Sequence, residues 1–501
     1  MTITHALSNA LSGLLANQRQ ADVTAHNIAN ATTPGFSRQE VTVEPHLGGA
    51  QGAGVRISAV QRQVDLLLVR ESRAAQSRLD FLATSADAHT RVAEALGDAD
   101  SVNGLPQLFQ RTEEAFRALE TTPESVPRQQ DALRSLQSLA RSFNELSNEF
   151  GGIRAEADAA IAREVGIVNG SLEELARLNR QIVLHSGAGT NTNDLLDQRD
   201  RLIDEVARRI PVRVLRKDEA GAISLLTREG VPLLDHDAAK ITFDQRPVVN
   251  TGEVYDPSGT AGPGFTHVLS GLSVDGRDIA PRSGDAQSLG GGLIAGLFRV
   301  RDEIAPDALA KLDAIAYAVT ERFQDSGVDS SLGPTDTGLF TDAGARLNTA
   351  DPATIAGLAG RLAVNDAIDP AAGGTLSRLR DGAAAATPGL AGDPAQVTRF
   401  IGAFTTPASY FTASGLTGNT LPAAARQFTQ LAHQARSAET RDATAQEVTL
   451  QTVSERRLSH AGVSIDEELQ KLALFERSFS ANSQVIQAAS RMLDELLGIV
   501  R

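Results

Sequence analysis

The stretch from Ile465 to Leu497, IDEELQKLALFERSFSANSQVIQAASRMLDELL, decides the fold class of this chain. Ile465, Leu469, Leu472, Glu476, Phe479, Ser483, Ile486, Ser490, Leu493, Leu497 and Val500 recur at alternating steps of four and three, the rhythm of a coiled-coil helix. The front of the chain carries the same rhythm in Leu7, Leu11, Leu14, Gln18, Ala21, Ala25 and Ile28. Polar members make each seam imperfect. A short amphipathic helix draws most of its stability from packing, so each end needs a partner. The nearest is the other end of the same chain, which predicts a two-stranded terminal module. Ala10, Leu15, Met492 and Leu496 widen the stripes and leave apolar surface for neighbouring subunits. Periodicity leaves one alternative open, that both helices fold back onto the main body.

Between these ends the pattern changes several times. The first helix should stop near Asn30, with Pro34 and Gly35 at the centre of a type II turn and Phe36 anchoring it. Short strands around Val41 to Val43 and Val55 to Val60 follow. Asp65 to Ala99 reads as one long helix, Pro106 to Phe150 as a helix broken near Pro123 and Pro127, and Ile153 to Leu184 and Asp194 to Ile210 as two more. From Pro211 to about Gly291 apolar residues alternate between Gly, Asp and Pro turns, which predicts antiparallel strands. Helical periodicity returns from Leu293 to Phe323, and residues 327–422 read as a mixed stretch with short helices. A last helical region starts near Ala423, is punctuated at Gly462, and restarts at a capping box made by Ser464 and Glu467.

The expected fold is therefore mainly α with a β-rich insert, in discontinuous nested domains. Residues 1–60 with 460–501 form a terminal coiled-coil domain, 61–210 with 292–459 a helical bundle, and 211–291 a projecting antiparallel β region.

Composition narrows the function. At 501 residues and 41% hydrophobic content the chain has room for roughly three or four domains with ordinary cores. A net charge of -15 argues against nucleic-acid partners, which require a basic stripe. Cysteine is absent, which removes disulfides, thiolate nucleophiles and Cys-based metal sites. No apolar run reaches the ~18 residues of a membrane span. His5, Ser8, Asn9 and Ser12 interrupt what a signal peptide would need, so export by another route is expected if the chain works outside the cell.

Catalytic and cofactor motifs fail on spacing. No histidine pair has the helical spacing of zinc proteases, and neither the glycines from Gly48 to Gly54 nor Gly290 to Gly292 is followed by the Lys and Ser/Thr of a phosphate loop. Asp194, Asp197, Asp200 and Asp204 put carboxylates on one helix face, but Arg199 and Arg201 lie among them. A solvated, ion-paired face is the expected reading rather than a cation site. Asp325, Asp329 and Asp336 lack the spacing of a calcium hand. No cofactor, metal or catalytic residue is expected.

Three stretches carry a family resemblance. Ala25-His26-Asn27-Ile28-Ala29-Asn30-Ala31-Thr32-Thr33-Pro34-Gly35-Phe36 closely resembles the N-terminal signature of bacterial flagellar rod, hook and hook-associated proteins, with Asn27, Asn30, Pro34, Gly35 and Phe36 as its marks. Leu178-Asn179 through Asn193-Asp194-Leu195-Leu196-Asp197-Gln198-Arg199-Asp200 resembles the central motif of the flagellar hook-associated protein 1 (FlgK) family, and Ser459 to Leu497 is similar to that family's C-terminus. Arg477, Phe479 and His460 depart from the usual pattern without breaking the stripe.

The resemblance implies a structural junction protein, exported through the flagellar type III channel without a cleaved signal peptide and placed outside the cell between hook and filament. Its implied partners are other copies of itself, hook protein, hook-associated protein 3 and an export chaperone (FlgN-like). The expected oligomerisation residues are Leu7, Leu11, Leu14, Leu15, Ile28, Ile465, Leu469, Leu472, Phe479, Ile486, Leu493 and Leu497. Leu472, Phe475, Phe479, Ile486 and Leu493 would meet the chaperone.

Overall fold

A computed structural model describes residues 3–48, 51–98, 100–188, 190–218, 221–256, 266–281, 289–350, 354–408, 414–417 and 420–499. The chain divides into two compact units, one of residues 1–77, 168–239 and 446–501, the other of residues 78–167 and 240–445.

The first unit holds both chain ends. Helix α1 (Ile3–Ala29) is followed by a hairpin of β1 (Gln39–Gly48) and β2 (Gln51–Arg62), then by the start of α2 (Leu66–Leu96). The end of α4 (Val126–Gly187), α5 (Asn193–Arg209) and a three-stranded sheet come next, the sheet made of β3 (Val212–Arg216), β4 (Ile223–Thr227) and β5 (Pro232–Leu234) in that order. The end of α11 (Leu421–Ala461) and all of α12 (Ile465–Ile499) complete it. Ser464 restarts the chain after Gly462, its Oγ accepting from the Glu467 N–H at 3.4 Å and its carbonyl from Glu468 at 3.0 Å. In the sheet, β4 is largely buried through Ile223, Ser224, Leu225 and Thr227, and β5 through Leu233 and Leu234. Asn179 of α4 ties β4 down by exchanging two 3.1 Å hydrogen bonds with the Ile223 backbone.

The second unit contains α3 (Leu105–Thr121), the larger part of α4, the short strands β6 (Ile241–Thr242), β7 (Glu253–Val254), β8 (Thr266–His267), β9 (Ser273–Val274) and β10 (Arg277–Asp278), α6 (Gly292–Arg299) and α7 (Ala305–Phe323). Hairpin β11 (Phe340–Asp342) and β12 (Leu362–Val364) flanks α8 (Leu358–Arg361), and α9 (Arg378–Asp381), α10 (Ala395–Thr405) and most of α11 finish the unit. Its core is phenylalanine-rich: Phe323 lies 5.0 Å from Phe404 and 5.6 Å from Phe340, centroid to centroid, with Phe116 and Phe400 beside them.

Between α6 and α7 one π turn, Val300–Ile304, swings Arg301 inward. Fully buried, Arg301 pairs with the equally buried Asp158 of α4 at 2.8 Å and stacks 4.7 Å from the Phe298 ring. Its neighbour Arg154 donates to the carbonyls of Arg301, Asn250 and Glu253. These two guanidiniums satisfy backbone acceptors of the strand-rich stretch that would otherwise be buried without partners.

Three expectations need correction. Residues 211–291 are not one domain: β3, β4 and β5 belong to the first unit and β6 to β10 to the second, and β7 with β8 is a parallel pair. The expected boundaries at residues 60, 210 and 460 also move, because the division falls inside α2, α4 and α11 where no Pro/Gly-rich linker marks it. Finally, α4 runs unbroken for 62 residues through Gly151 and Gly152, where a break was expected. Each helical glycine costs roughly 1 kcal/mol, and the buried Phe150 and Ile153 on either side outweigh that.

Candidate assembly interface

Helices α1 and α12 lie antiparallel, and one close approach and two polar contacts define their register. A side chain at Gly13 would meet Asn482 Nδ2 at 2.9 Å, Asn17 Nδ2 donates to Ser478 Oγ at 2.9 Å, and Asn27 Nδ2 donates to Glu468 Oε2 at 2.9 Å. Each step forward along α1 is matched by an equal step back along α12. Glu468 is 1% exposed and takes a second bond from Lys471 Nζ at 2.6 Å. Buried polar layers of this kind select one register at some cost in stability, since a slip would strand each of them.

The face used is not the leucine stripe. On α1 the buried residues are Ala10, Ala16, Asn17, Val23, Thr24 and Asn27, one position (about 100° of helix rotation) away from the expected seam. The pair therefore closes through small and polar residues and leaves the larger apolar ones outside. Leu11 and Leu15 are 50% and 54% exposed, and Ile465, Leu469 and Phe479 are 46%, 49% and 41% exposed. Leu7, Leu14, Ile28, Leu472, Phe475, Ile486 and Leu493 are half-buried. The side chains of Leu496 and Leu497, and Val500, fall outside the described residues. Phe475 and Phe479 line a groove of about 490 Å³ with Ala21, Asp22 and Glu476.

Where α1 ends, the family-signature residues build an elbow. Asn30 accepts from Thr33 N–H, whose own carbonyl receives Phe36 N–H at 3.2 Å across Pro34 and Gly35, the expected turn. Gly35 has φ +76°, and a Cβ there would come within 2.6 Å of Arg201 Cγ, so both backbone and packing demand glycine. Asn27 acts like a missing strand: its Oδ1 accepts from Gln39 N–H and its Nδ2 donates to Gln39 O, each at 2.9 Å.

The central motif on α5 grips this elbow from about 160 residues away. Asp197 accepts from Ser37 N–H at 3.2 Å, Asn193 Nδ2 donates to Val60 O at 3.0 Å, and Gln39 Nε2 donates to Asp194 Oδ1 at 3.2 Å. Arg62 Nε sits 2.9 Å from Asp197 Oδ1 while its Nη2 pairs with Asp200. Arg73 pairs with Asp204 at 2.5 Å and with Asp200 at 3.4 Å, and Arg457 reaches Asp204 at 3.5 Å.

Burial raises the Asp197 pKa despite Arg62 and the Ser37 N–H. Burial pushes on Asp200 too, but Arg62, Arg73 and Arg199 overcome it and hold that carboxyl below its usual range. Desolvation lowers Arg199 to about 10, and it donates to Gly221 O at 2.6 Å.

Asp197, Asp200 and Asp204 are thus ion-paired, as the sequence suggests, but with Arg62, Arg73 and Arg457 rather than with Arg199 and Arg201, and largely out of solvent, while Asp194 stays 74% exposed beside His26. Asp197 is 3% exposed. Leu195 and Gln198 are half-buried alongside it, and Pro34 is exposed. The chain's two motif stretches meet in space. Sequence reading missed Gln39, Arg62, Arg73, Arg457 and Glu468, because nothing in their local patterns marks long-range partners. Among the described residues no group of His, Asp and Glu is placed to hold a metal ion, and no helix is long and apolar enough to cross a membrane. What the arrangement can do is hold a two-helix rod at a set angle while offering its apolar side to a partner.

Comparison with known proteins gives the following. Residues 90–340 match the family model for the flagellar hook-associated protein FlgK helical domain, residues 455–499 that for the flagellar basal body rod FlgEFG protein C-terminal region, and residues 7–36 that for the flagella basal body rod protein. Flagellar hook-associated protein 1 of Bacillus subtilis (strain 168) is 25% identical over 516 aligned positions, covering 98% of this chain and 97% of that protein. Its namesake in Salmonella typhimurium is 29% identical over 245 positions, covering 47% of this chain and 43% of that protein. The structure of the flagellar hook junction protein FlgK from Burkholderia pseudomallei aligns with a TM-score of 0.45 and 20% identity over 56% of this chain and 49% of that one.

Proposed function

This chain belongs to the flagellar hook-associated protein FlgK family, structural components of the bacterial flagellum, and from that premise we propose that it forms the junction between hook and filament. Copies of the chain assemble side by side as a ring, with hook protein on one side and hook-associated protein 3 on the other. The contacts between copies are heterologous, since a tube must propagate and a two-fold pair would close on itself. The protein acts without catalysis.

One observation carries this reading. The terminal helix pair is already closed through its small and polar face, yet Leu11, Leu15, Leu469 and Phe479 remain exposed. Burying the exposed half of each such side chain gains roughly 1 kcal/mol, a drive that only another molecule can satisfy. Before assembly the same surface is an aggregation hazard. An export chaperone (FlgN-like) covering Leu472, Phe475, Phe479, Ile486 and Leu493 removes it while the chain waits for type III export to the cell exterior.

Deleting residues 464–501 tests the role of the last helix. The remaining chain should be exported poorly and be absent from flagella, and its normal incorporation would refute the assignment. Bacteria lacking the gene should keep hooks and shed unpolymerised flagellin into the medium.

A further inference from the structure

The sheet β3-β4-β5 ends on β3, and among the described residues no strand pairs with its outer edge. Neither face of β3 is buried: Arg213, Val214, Leu215 and Arg216 are all exposed, and β4 and β5 supply the core instead. A strand that contributes no core residue and keeps Val214 and Leu215 at 38% and 49% exposure is a template for another strand. Arg213 and Arg216 have no ion-pair partner among the described residues. Two copies of β3 would bring four arginines and no carboxylate to a shared edge, which makes β3 a poor partner for another β3.

We propose that β3 of one copy pairs antiparallel with β1 of the next, adding a strand-to-strand contact to the ring; this rests on the junction role proposed above. The complementarity is present on both sides. Glu40, Thr42 and Glu44 of β1 are exposed, and β1 pairs only with β2, so its other edge meets no strand among the described residues. Setting Arg213 opposite Glu44 puts Val214 against Val43, Leu215 against Thr42 and Arg216 against Val41, with Lys217 exchanging its exposed pair with Asp235 at 2.6 Å to reach Glu40.

Backbone alternation agrees with that register. Lys217 N–H bonds Ala222 O within the β3-β4 hairpin, so Val214 and Arg216, on the alternate positions, turn their amides to the open edge. In the other hairpin Gln63 N–H bonds Arg38 O, and Gln39 turns its N–H and carbonyl outward to Asn27. Val41, two residues on, faces the same way. The present partners of the two glutamates are exposed, Gln63 on Glu40 and Arg56 on Glu44 at 3.2 Å, and exchanging them costs little.

The cysteine-free chain supplies its own test. Leu215→Cys and Thr42→Cys copies are produced together in bacteria, flagella are isolated, and diamide is added. A disulfide-linked dimer that needs both variants is the expected result, and Arg213→Glu with Arg216→Glu in the Leu215→Cys copy should abolish it. Flagella that contain both variants but yield no dimer overturn the strand pairing. A dimer formed equally by Leu215→Cys alone overturns it in favour of β3 on β3. Absence of the wild-type chain from flagella overturns the junction role itself, and the pairing with it.

Discussion

Replacing Arg62 by Met removes the cation that holds two carboxylates of α5 to the elbow, while keeping most of the buried stem. Arg62 is 10% exposed in its side chain, Asp197 4% and Asp200 23%, so solvent screens these pairs little. Breaking a buried pair from one side costs about 3–5 kcal/mol. Arg73 still faces Asp200 at 3.4 Å, which places the expected loss near the lower end, about 3 kcal/mol.

The pH dependence has a definite sign. Asp200 titrates below its ordinary range in the fold, so its stabilisation is full above the unfolded pKa of roughly 4 and is lost as pH falls through the folded value. Asp197 is already raised, and losing Arg62 raises it further, a penalty that protonation relieves. The gap between wild type and variant should therefore be complete at neutral pH and close in acid. Amide hydrogen exchange on the intact protein reads this locally. Peptides covering residues 27–39 and 193–204 should exchange roughly a hundredfold faster in the variant at pH 7, while peptides from α7 stay unchanged. A loss under about 1 kcal/mol, or one that persists unchanged in acid, would refute the lock between α5 and the elbow.

Gly35→Ala places a Cβ against Arg201 at φ +76° and should lower stability by about 2 kcal/mol, seen as an earlier urea midpoint for the first unit; an unchanged midpoint contradicts the turn geometry. Gly151→Ala meets nothing within 4 Å in mid-helix and should raise the thermal midpoint through a gain of roughly 0.5–1 kcal/mol. Asp313, whose carboxyl accepts from Gly357 and Ala359 N–H at 2.8 Å, is pushed by burial to about 6. The fold thus binds its proton more tightly than the unfolded chain does, so stability should fall by about 3 kcal/mol between roughly pH 4 and pH 6 and stay flat above. Asp313→Asn should erase that slope, and a variant with the wild-type profile would show the group titrates normally.

Local chemistry in this chain was readable from sequence, and distant pairing was not. The stop near Asn30, the Pro34-Gly35 turn and the restart at Ser464 each depend on a few neighbouring residues, and each stands in the structure. The leucine rhythm of α1 is real too, but it marks the face left open. The face closed against α12 is written in Gly13, Asn17 and Asn27, residues whose value appears only beside Asn482, Ser478 and Glu468. Likewise Asp197 and Asp200 announce a charged face, while Arg62 and Arg73 carry no sign that they will meet it. The predicted break at Gly151 failed because glycine's helical cost is small beside the burial of Phe150 and Ile153.

Labelling of single cysteines tests the assembly account most directly. Leu15→Cys and Leu469→Cys, both on exposed positions of an otherwise cysteine-free chain, are treated with a maleimide in the purified protein and again in isolated flagella. Rapid labelling of the free chain and protection in the organelle is the result the account predicts; equal reactivity in both, or protection already in the lone molecule, would contradict it.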